Sequence, residues 1–282
     1  MLNLSNKLSA EINMILSCLL FSVLGGIIKY LGTVIHPFEQ AFFRNFFSII
    51  LLSSFFFVKK IKLKTKRIRF LFLRSIFGAI TMILLFWTYT LIPLTQAMAI
   101  SFSTPLFIFV GSMIFLKEKP NWKKKISIFT GFLFVLTILR PDYDLKLGTI
   151  IGLIAALSHA ATGLMVKDLT KTESISTIMF YMVIFMSFLT FPTSLIFWSH
   201  PPNLNIWLML ILLAITGTLG NYFWTHSISQ SKMTNIMVFD FYKLIFATLI
   251  GLFFFKEEID VVTVLAGIGL ILNNIFLQKH FR

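Results

Sequence analysis

Long apolar runs separated by short polar gaps dominate this chain, and each run is too long for a strand. Crossing a hydrocarbon layer about 30 Å thick takes roughly 20 helical residues. Windows of that size predict ten spans, with approximate limits Ile12 to Leu31, Phe38 to Val58, Phe70 to Ile92, Thr95 to Leu116, Ile126 to Leu139, Leu147 to Val166, Ile175 to Trp198, Ile206 to Ile228, Thr234 to Phe255 and Val261 to Leu277. The expected fold class is an all-α integral membrane protein of ten transmembrane helices.

Composition agrees with that reading. Of the 282 residues 57% are hydrophobic, 34 are Phe and 13% are charged, and mean hydropathy is +0.88, outside the range of soluble domains. A net charge of +14 would point to nucleic acid in a soluble protein. Here the basic residues fill the gaps between apolar runs, so the expected partner is the lipid bilayer and not nucleic acid. With a cytoplasmic N-terminus, 18 gap Lys and Arg fall on the cytoplasmic side: Lys7, seven from Lys59 to Arg69, five from Lys117 to Lys125, Lys167, Lys171, Lys232, Lys279 and Arg282. Three fall opposite, Arg140, Lys146 and Lys256. The positive-inside rule then places both termini in the cytoplasm of a multi-pass protein of the cell inner membrane. The single cysteine, Cys18, allows no internal disulfide and is expected in core packing.

The two halves repeat. FWTY at Phe86 to Tyr89 meets FWTH at Phe223 to His226; IFLKEK at Ile114 to Lys119 meets FFFKEE at Phe253 to Glu258; GGIIKYL at Gly25 to Leu31 meets GLMVKDL at Gly163 to Leu169. The matches keep their order at nearly one spacing, so residues 1–140 and 141–282 are expected to be two copies of a five-helix unit. Five is odd, and the second copy therefore enters the membrane in the opposite sense. Inverted repeats belong chiefly to secondary transporters, whose substrate site lies near the midplane between the repeats.

The stretches HPFEQAFFRNFF (His36 to Phe47), LRSIFGAI (Leu73 to Ile80), SFSTPLF (Ser101 to Phe107) with FLKEK, and GLFFFKEE (Gly251 to Glu258) resemble the ten-helix EamA branch of the drug/metabolite transporter superfamily. The resemblance covers essentially the whole chain. Within that family, KYLGTVIHPFEQAFFR (Lys29 to Arg44) and SFSTPLF look most like the S-adenosylmethionine uptake carriers of obligate intracellular bacteria. The resemblance implies secondary active transport of a small organic metabolite by alternating access. It implies a cavity lined by spans one to four and six to nine, with five and ten at the periphery or in a homodimer contact. A coupling proton or an exchanged metabolite is the expected co-partner, and no cofactor is expected.

The stretch VFDFYKLIF (Val238 to Phe246) places an acid and a base inside an apolar run. At 1.5 Å per residue Asp240 lies about 9 Å and Lys243 about 14 Å from the cytoplasmic end of the ninth span. On a helix, positions 240, 243, 247 and 251 share a face that reads Asp, Lys, Ala, Gly; its counterpart in span four reads Ser101, Thr104, Ile108, Ser112. Intramembrane charges as a rule face a cavity; a structural ion pair between packed helices is the alternative. Arg44 and Glu39 have neutral repeat counterparts, Met182 and Thr177. That asymmetry suggests function: Arg44 either holds a substrate carboxylate or snorkels to the surface, and Glu39 is expected at the membrane interface. Trp87, Tyr89, Tyr222, Trp224 and His226 offer stacking to a flat ligand or plain packing. The expected substrate-binding set is Asp240, Lys243, Arg44, Trp87, Tyr89, Trp224, Ser101 and Thr104. His159 and His226 are expected as buried hydrogen-bonding groups, Gly148 and Gly152 as a small-residue packing motif, and Pro105 and Gly111 as a hinge or a tolerated kink.

No phosphate-binding GxxxxGK[ST] loop occurs, nor HExxH, GxSxG or a Cys/His cluster. No catalytic residue and no metal site is therefore expected, and the chain reads as no enzyme. An integral membrane enzyme using Asp240 with His226 is the second class, which would need a polar cluster at the membrane surface where the gaps are short. A scramblase or scaffold, the third, would not need the buried charges. A site of both signs suits a zwitterionic or mixed-charge metabolite. S-adenosylmethionine fits, with its ammonium, sulfonium, carboxylate and flat base, and so do exported amino acids, vitamins or drugs.

Overall fold

A computed structural model describes residues 4–61, 63–101, 103–139 and 147–256, with residues 262, 265, 268, 269 and 272. Among the described residues the chain is all helix, without a strand. In order these are α1 (Leu4–Leu31), α2 (Pro37–Val58), α3 (Ile68–Leu91), α4 (Leu94–Ser101), α5 (Ser103–Phe115), α6 (Trp122–Leu139), α7 (Leu147–Leu169), α8 (Ile175–Ile196), α9 (Leu204–Gln230), α10 (Met233–Ile236) and α11 (Tyr242–Phe255), with a 3-10 segment at Met237–Phe241 between the last two. Among the described residues seven stretches are long and apolar enough to cross a membrane: the larger part of α1, then α2, α3, α7, α8, α9 and the run Met233–Phe255. α4 with α5 follows the fourth expected span, and α6 the fifth. Most of the tenth lies outside the described residues; Val262, Leu265, Ile268, Gly269 and Leu272 are helical.

Local chemistry sets the helix starts. The side chain of Ser174 accepts from Thr177 N at 3.1 Å and that of Asn203 from Ile206 N at 3.0 Å, satisfying backbone donors that the first turn leaves open. His36 caps α2 through Nδ1, which accepts from Phe38 N at 3.3 Å, and Pro37 at the first helical position loses no bond there. Within the helices hydroxyls bond back to their own turn, as Ser48 Oγ does to Arg44 O at 2.6 Å and Ser75 Oγ to Leu71 O at 2.8 Å. Such bonds let polar side chains sit where no water can serve them. Outward faces carry bare apolar groups: Phe57, Phe188 and Phe253 are 86%, 73% and 73% exposed, as a lipid-facing surface requires.

The helix pairs cross between the halves: α1 packs on α9, α3 on α7, α2 on α8, α4 on α11, and α1 on α11 as α7 does on α4 and α5. Gly148 and Gly152 admit α7 closely to its neighbours. A Cβ there would lie 2.7 Å from Ile92 and 2.9 Å from Ile100 respectively, so the small-residue motif is a packing surface.

The ninth span departs from the single helix that the shared face of residues 240, 243, 247 and 251 assumes. Near its start the span tightens into the 3-10 segment, although MVFDF contains neither Pro nor Gly. The cause lies on α1. Cys18 Sγ approaches Phe239 O at 3.5 Å, and Ser22 Oγ donates to Lys243 O at 3.1 Å, so the neighbouring helix serves carbonyls around the break. With three residues per turn, positions i and i+3 eclipse. Asp240 and Lys243 therefore stand one above the other.

Candidate functional site

Asp240 Oδ1 and Lys243 Nζ lie 2.5 Å apart, with side chains 4% and 6% exposed. The ammonium also sits 5.3 Å from the centre of the Phe21 ring, a cation–π contact. Cys18 Sγ is 3.9 Å from Asp240 Oδ1, placing the single thiol directly behind the pair. The pair is buried between helices, and its lysine reaches a cavity.

That cavity, about 100 Å³, is walled by α1, α2, α3, α4, α7, α8, α9 and α11. Lys243, Arg44, Tyr89, Trp224 and Ser101 of the expected set line it. Asp240 enters through its bond to Lys243. Trp87 and Thr104 stand elsewhere. Trp87 packs edge-on to Phe38 at 5.6 Å, toward the α2 N-terminus, and Thr104 Oγ1 donates to Ala156 O at 3.3 Å, tying α5 to α7. A water-sized site takes roughly 10–15 Å³ by this kind of measure, so the cavity holds several waters but no metabolite until its walls part.

Five further polar side chains line the cavity without belonging to that set: Arg74, Thr81, His159, Thr162 and Asn221. Arg74 sits inside LRSIFGAI on α3, 3% exposed, its Nη1 donating to Met186 Sδ at 3.6 Å and its Nε unpartnered. The reasoning that singled out Arg44 would have found it, since the residue 138 positions on is Leu212. Arg44 is 1% exposed and donates to Asn45 Oδ1 at 2.9 Å. The His159 ring lies 5.5 Å from that of Trp224, tilted by 30°. Outside the cavity, His226 Nδ1 lies 2.9 Å from Asn13 Nδ2, a hydrogen-bonding role as expected.

Both ends of the bundle carry bonds between the halves. At one end Glu39, buried in the protein, accepts from Ser199 N at 3.1 Å and Ser199 Oγ at 2.9 Å. Beside it the His36 ring stacks on Phe197 at 3.9 Å and 9°, and burial pushes its imidazole below the usual pKa. At the other end Glu118 accepts from Met233 N and Thr234 N, each at 3.1 Å, capping the start of the ninth span. Lys167 Nζ closes the end of α9 on Ile228 O at 2.6 Å and Ser231 O at 2.7 Å. Arg67 Nη2 reaches Asp168 Oδ2 at 2.6 Å. Among the described residues no cluster of His, Cys, Asp and Glu could hold a metal ion.

A multi-pass helical bundle around a small cavity that carries charged groups on a largely apolar wall is the frame of a membrane transporter. The comparisons agree: this chain belongs to the EamA-like transporter family, whose model matches it twice, over residues 8–140 and 146–277. It is 30% identical over 256 residues to an S-adenosylmethionine uptake transporter of Rickettsia felis, 88% of this chain and 85% of that one. It is 22% identical over 272 residues to the pseudopaline exporter CntI of Pseudomonas aeruginosa, 94% of each chain, and 27% identical over 191 residues to a riboflavin transporter of Vibrio cholerae, 67% of this chain and 64% of that one. A crystal structure at 13% identity superposes with a TM-score of 0.79 over 98% of this chain and 99% of the other, a likeness of fold. The protein is a small-molecule transporter.

Proposed function

We propose that the chain is a ten-helix secondary active carrier of the bacterial inner membrane, with both termini cytoplasmic. Two inverted five-helix repeats, residues 1–140 and 141–282, alternate access to a mixed-charge metabolite. The double match of the family model and the swapped helix pairs, α1 on α9 against α7 on α3, support the inverted repeat. The single observation that carries the site is the buried pair of Asp240 and Lys243, set at a helix break and reaching the cavity. Broken spans at the midplane are where transporters of this kind hold ligands. A proton or a cationic substrate group arriving at Asp240 competes with Lys243, which ties occupancy to the arrangement of the ninth span. Arg44 receives the substrate carboxylate, and Trp224, Tyr89 and Ser101 complete the wall.

S-adenosylmethionine, named for the Rickettsia felis relative, is the first compound to test because it brings a carboxylate, two cationic centres and a flat base. Uptake into cells expressing the protein is measured for S-adenosylmethionine, amino acids and riboflavin, with and without a proton uncoupler. Accumulation of one of them by the wild type and not by Asp240→Asn supports the reading. Neither uptake nor release of any compound, with protein present in the membrane, removes it. Loss of uptake with the uncoupler assigns proton coupling; unchanged uptake assigns exchange.

A further inference from the structure

The cavity carries more positive charge than its ion pair accounts for. Asp240 is already matched by Lys243, yet Arg44 and Arg74 line the same wall, both almost fully buried. Among the described residues neither guanidinium has an ion pair: their bonds go to the amide oxygen of Asn45 and the sulfur of Met186, and Arg74 Nε has no partner. Three cationic side chains against one carboxylate leave two positive charges unmatched. Unpaired buried charge is strongly destabilising, and the repeat frame does without it, since the counterparts of Arg44 and Arg74 are Met182 and Leu212.

The surroundings are shaped to keep the two groups in place. A Cβ on Gly217 of α9 would stand 2.6 Å from Arg44 Nε, and one on Gly78, a turn along α3, 3.0 Å from the Met186 sulfur to which Arg74 donates. Arg44 lies about 10 Å along α2 from its start and Arg74 about 9 Å along α3 from its start, and successive helices begin at opposite faces. Both arginines thus stand well inside their helices and line one cavity. A guanidinium fork matches the paired oxygens of a carboxylate or phosphate.

We infer that Arg44 and Arg74 form a two-arginine receptor for acidic groups, so that the preferred substrate is an organic acid or phosphate ester carrying two negative charges rather than a net cation. The inference rests on the carrier reading for the site and puts a dianion in place of the mixed-charge metabolite, leaving the competition at Asp240 to a proton. A dianion neutralises the wall and releases the cost of holding both charges unpaired. S-adenosylmethionine, with one carboxylate and two cationic centres, satisfies only one of them.

The test uses the purified full-length protein in detergent, with melting followed at constant ionic strength in chloride while citrate, inorganic phosphate or S-adenosylmethionine is added. Citrate or phosphate raises the wild-type melting temperature; the affinity drops at least tenfold in Arg44→Gln and in Arg74→Gln, and the effect vanishes in the double variant. A stronger response to citrate assigns carboxylates, and a stronger response to phosphate assigns a phosphate ester. Without ligand, Arg74→Met melts at or above the wild type because an unpaired buried charge has gone. Gly217→Ala keeps both charges but crowds Arg44, and it weakens anion binding even if the arginine variants fold poorly. Anion binding without uptake of any compound removes the carrier reading alone, and uptake without anion binding removes this inference alone. The inference is overturned if neither anion shifts the wild type, if the double variant responds equally, if Arg74→Met lowers the ligand-free melting temperature, or if S-adenosylmethionine outranks both anions.

Discussion

Two ion pairs of almost equal length sit in this protein under opposite conditions. Asp240 and Lys243 are 2.5 Å apart with side chains 4% and 6% exposed; Arg67 and Asp168 are 2.6 Å apart at 30% and 35%. Distance does not rank them. Removing one partner of a buried pair leaves a stranded charge and costs about 3–5 kcal/mol, whereas an exposed pair contributes about 0–1 kcal/mol. The pair of Arg67 and Asp168 also has substitutes close by, with Lys171 Nζ 3.1 Å from Asp168 Oδ1 and Thr172 Oγ1 accepting from Arg67 Nη1 at 3.2 Å. Charge in the middle is therefore expensive to disturb, and charge at the end is easily remade. An alternating carrier needs that division, because its ends must part and rejoin around a site that keeps its geometry.

The largest effect comes from breaking the central pair on one side only. Asp240→Asn and Lys243→Met are each expected to reach the membrane, lose most transport and lose about 3–5 kcal/mol of stability. The double variant separates site from scaffold. A purely structural pair can be replaced by matched neutral residues with little loss, so stability should return while transport stays lost. Near-normal transport by the double variant at wild-type expression would sink the proposed role of the pair.

Between the two extremes lies Glu118, half-buried, whose carboxylate accepts two backbone donors at the start of the ninth span. Glu118→Ala should lower stability by about 1–2 kcal/mol, the worth of a good cap. Glu118→Gln should recover part of it, because its amide oxygen still accepts a hydrogen bond although the charge near the helix start is gone. Melting of the two variants against wild type measures this. Equal melting of all three would show that the contact carries no weight in this state. Substrate affinity should stay near wild type in both, since the cavity is untouched.

The sequence makes the expensive features legible and hides the cheap ones. Asp240, Lys243 and Arg44 stand out because charge inside an apolar run needs an explanation, and the seven long spans stand out because a bilayer demands their length. Arg74 obeys the same rule but lies inside LRSIFGAI, where it reads as part of a family signature. The 3-10 break was not legible, because MVFDF is locally ordinary and the carbonyls around it are served by Cys18 and Ser22, more than two hundred residues away. Trp87 and Thr104 show the same limit from the other side. Helical spacing puts a residue on a face, but only packing decides whether that face meets the cavity or, as for Trp87, the Phe38 ring. The clasp of Glu118 on Met233 joins segments whose spacing along the chain carries no periodic signal.

The smallest effect is expected at the half-buried pair of Arg67 and Asp168. Asp168→Asn removes the acceptor shared by Arg67 and Lys171, yet both cations are at the surface and water takes over their hydration at little cost. Arg67 keeps its bond to Thr172 and its guanidinium lies 4.6 Å from the centre of the Phe70 ring, so its position survives the loss of the acid. Stability should fall by less than about 1 kcal/mol, and the difference from wild type should shrink as salt is raised from low to physiological concentration, because exposed charges are screened over about 8–10 Å there. Melting at two ionic strengths tests this directly. If the pair instead latches this end of the carrier shut, Asp168→Asn will change transport rate far more than it changes melting, and the end seam would then belong with the central pair as part of the working machinery.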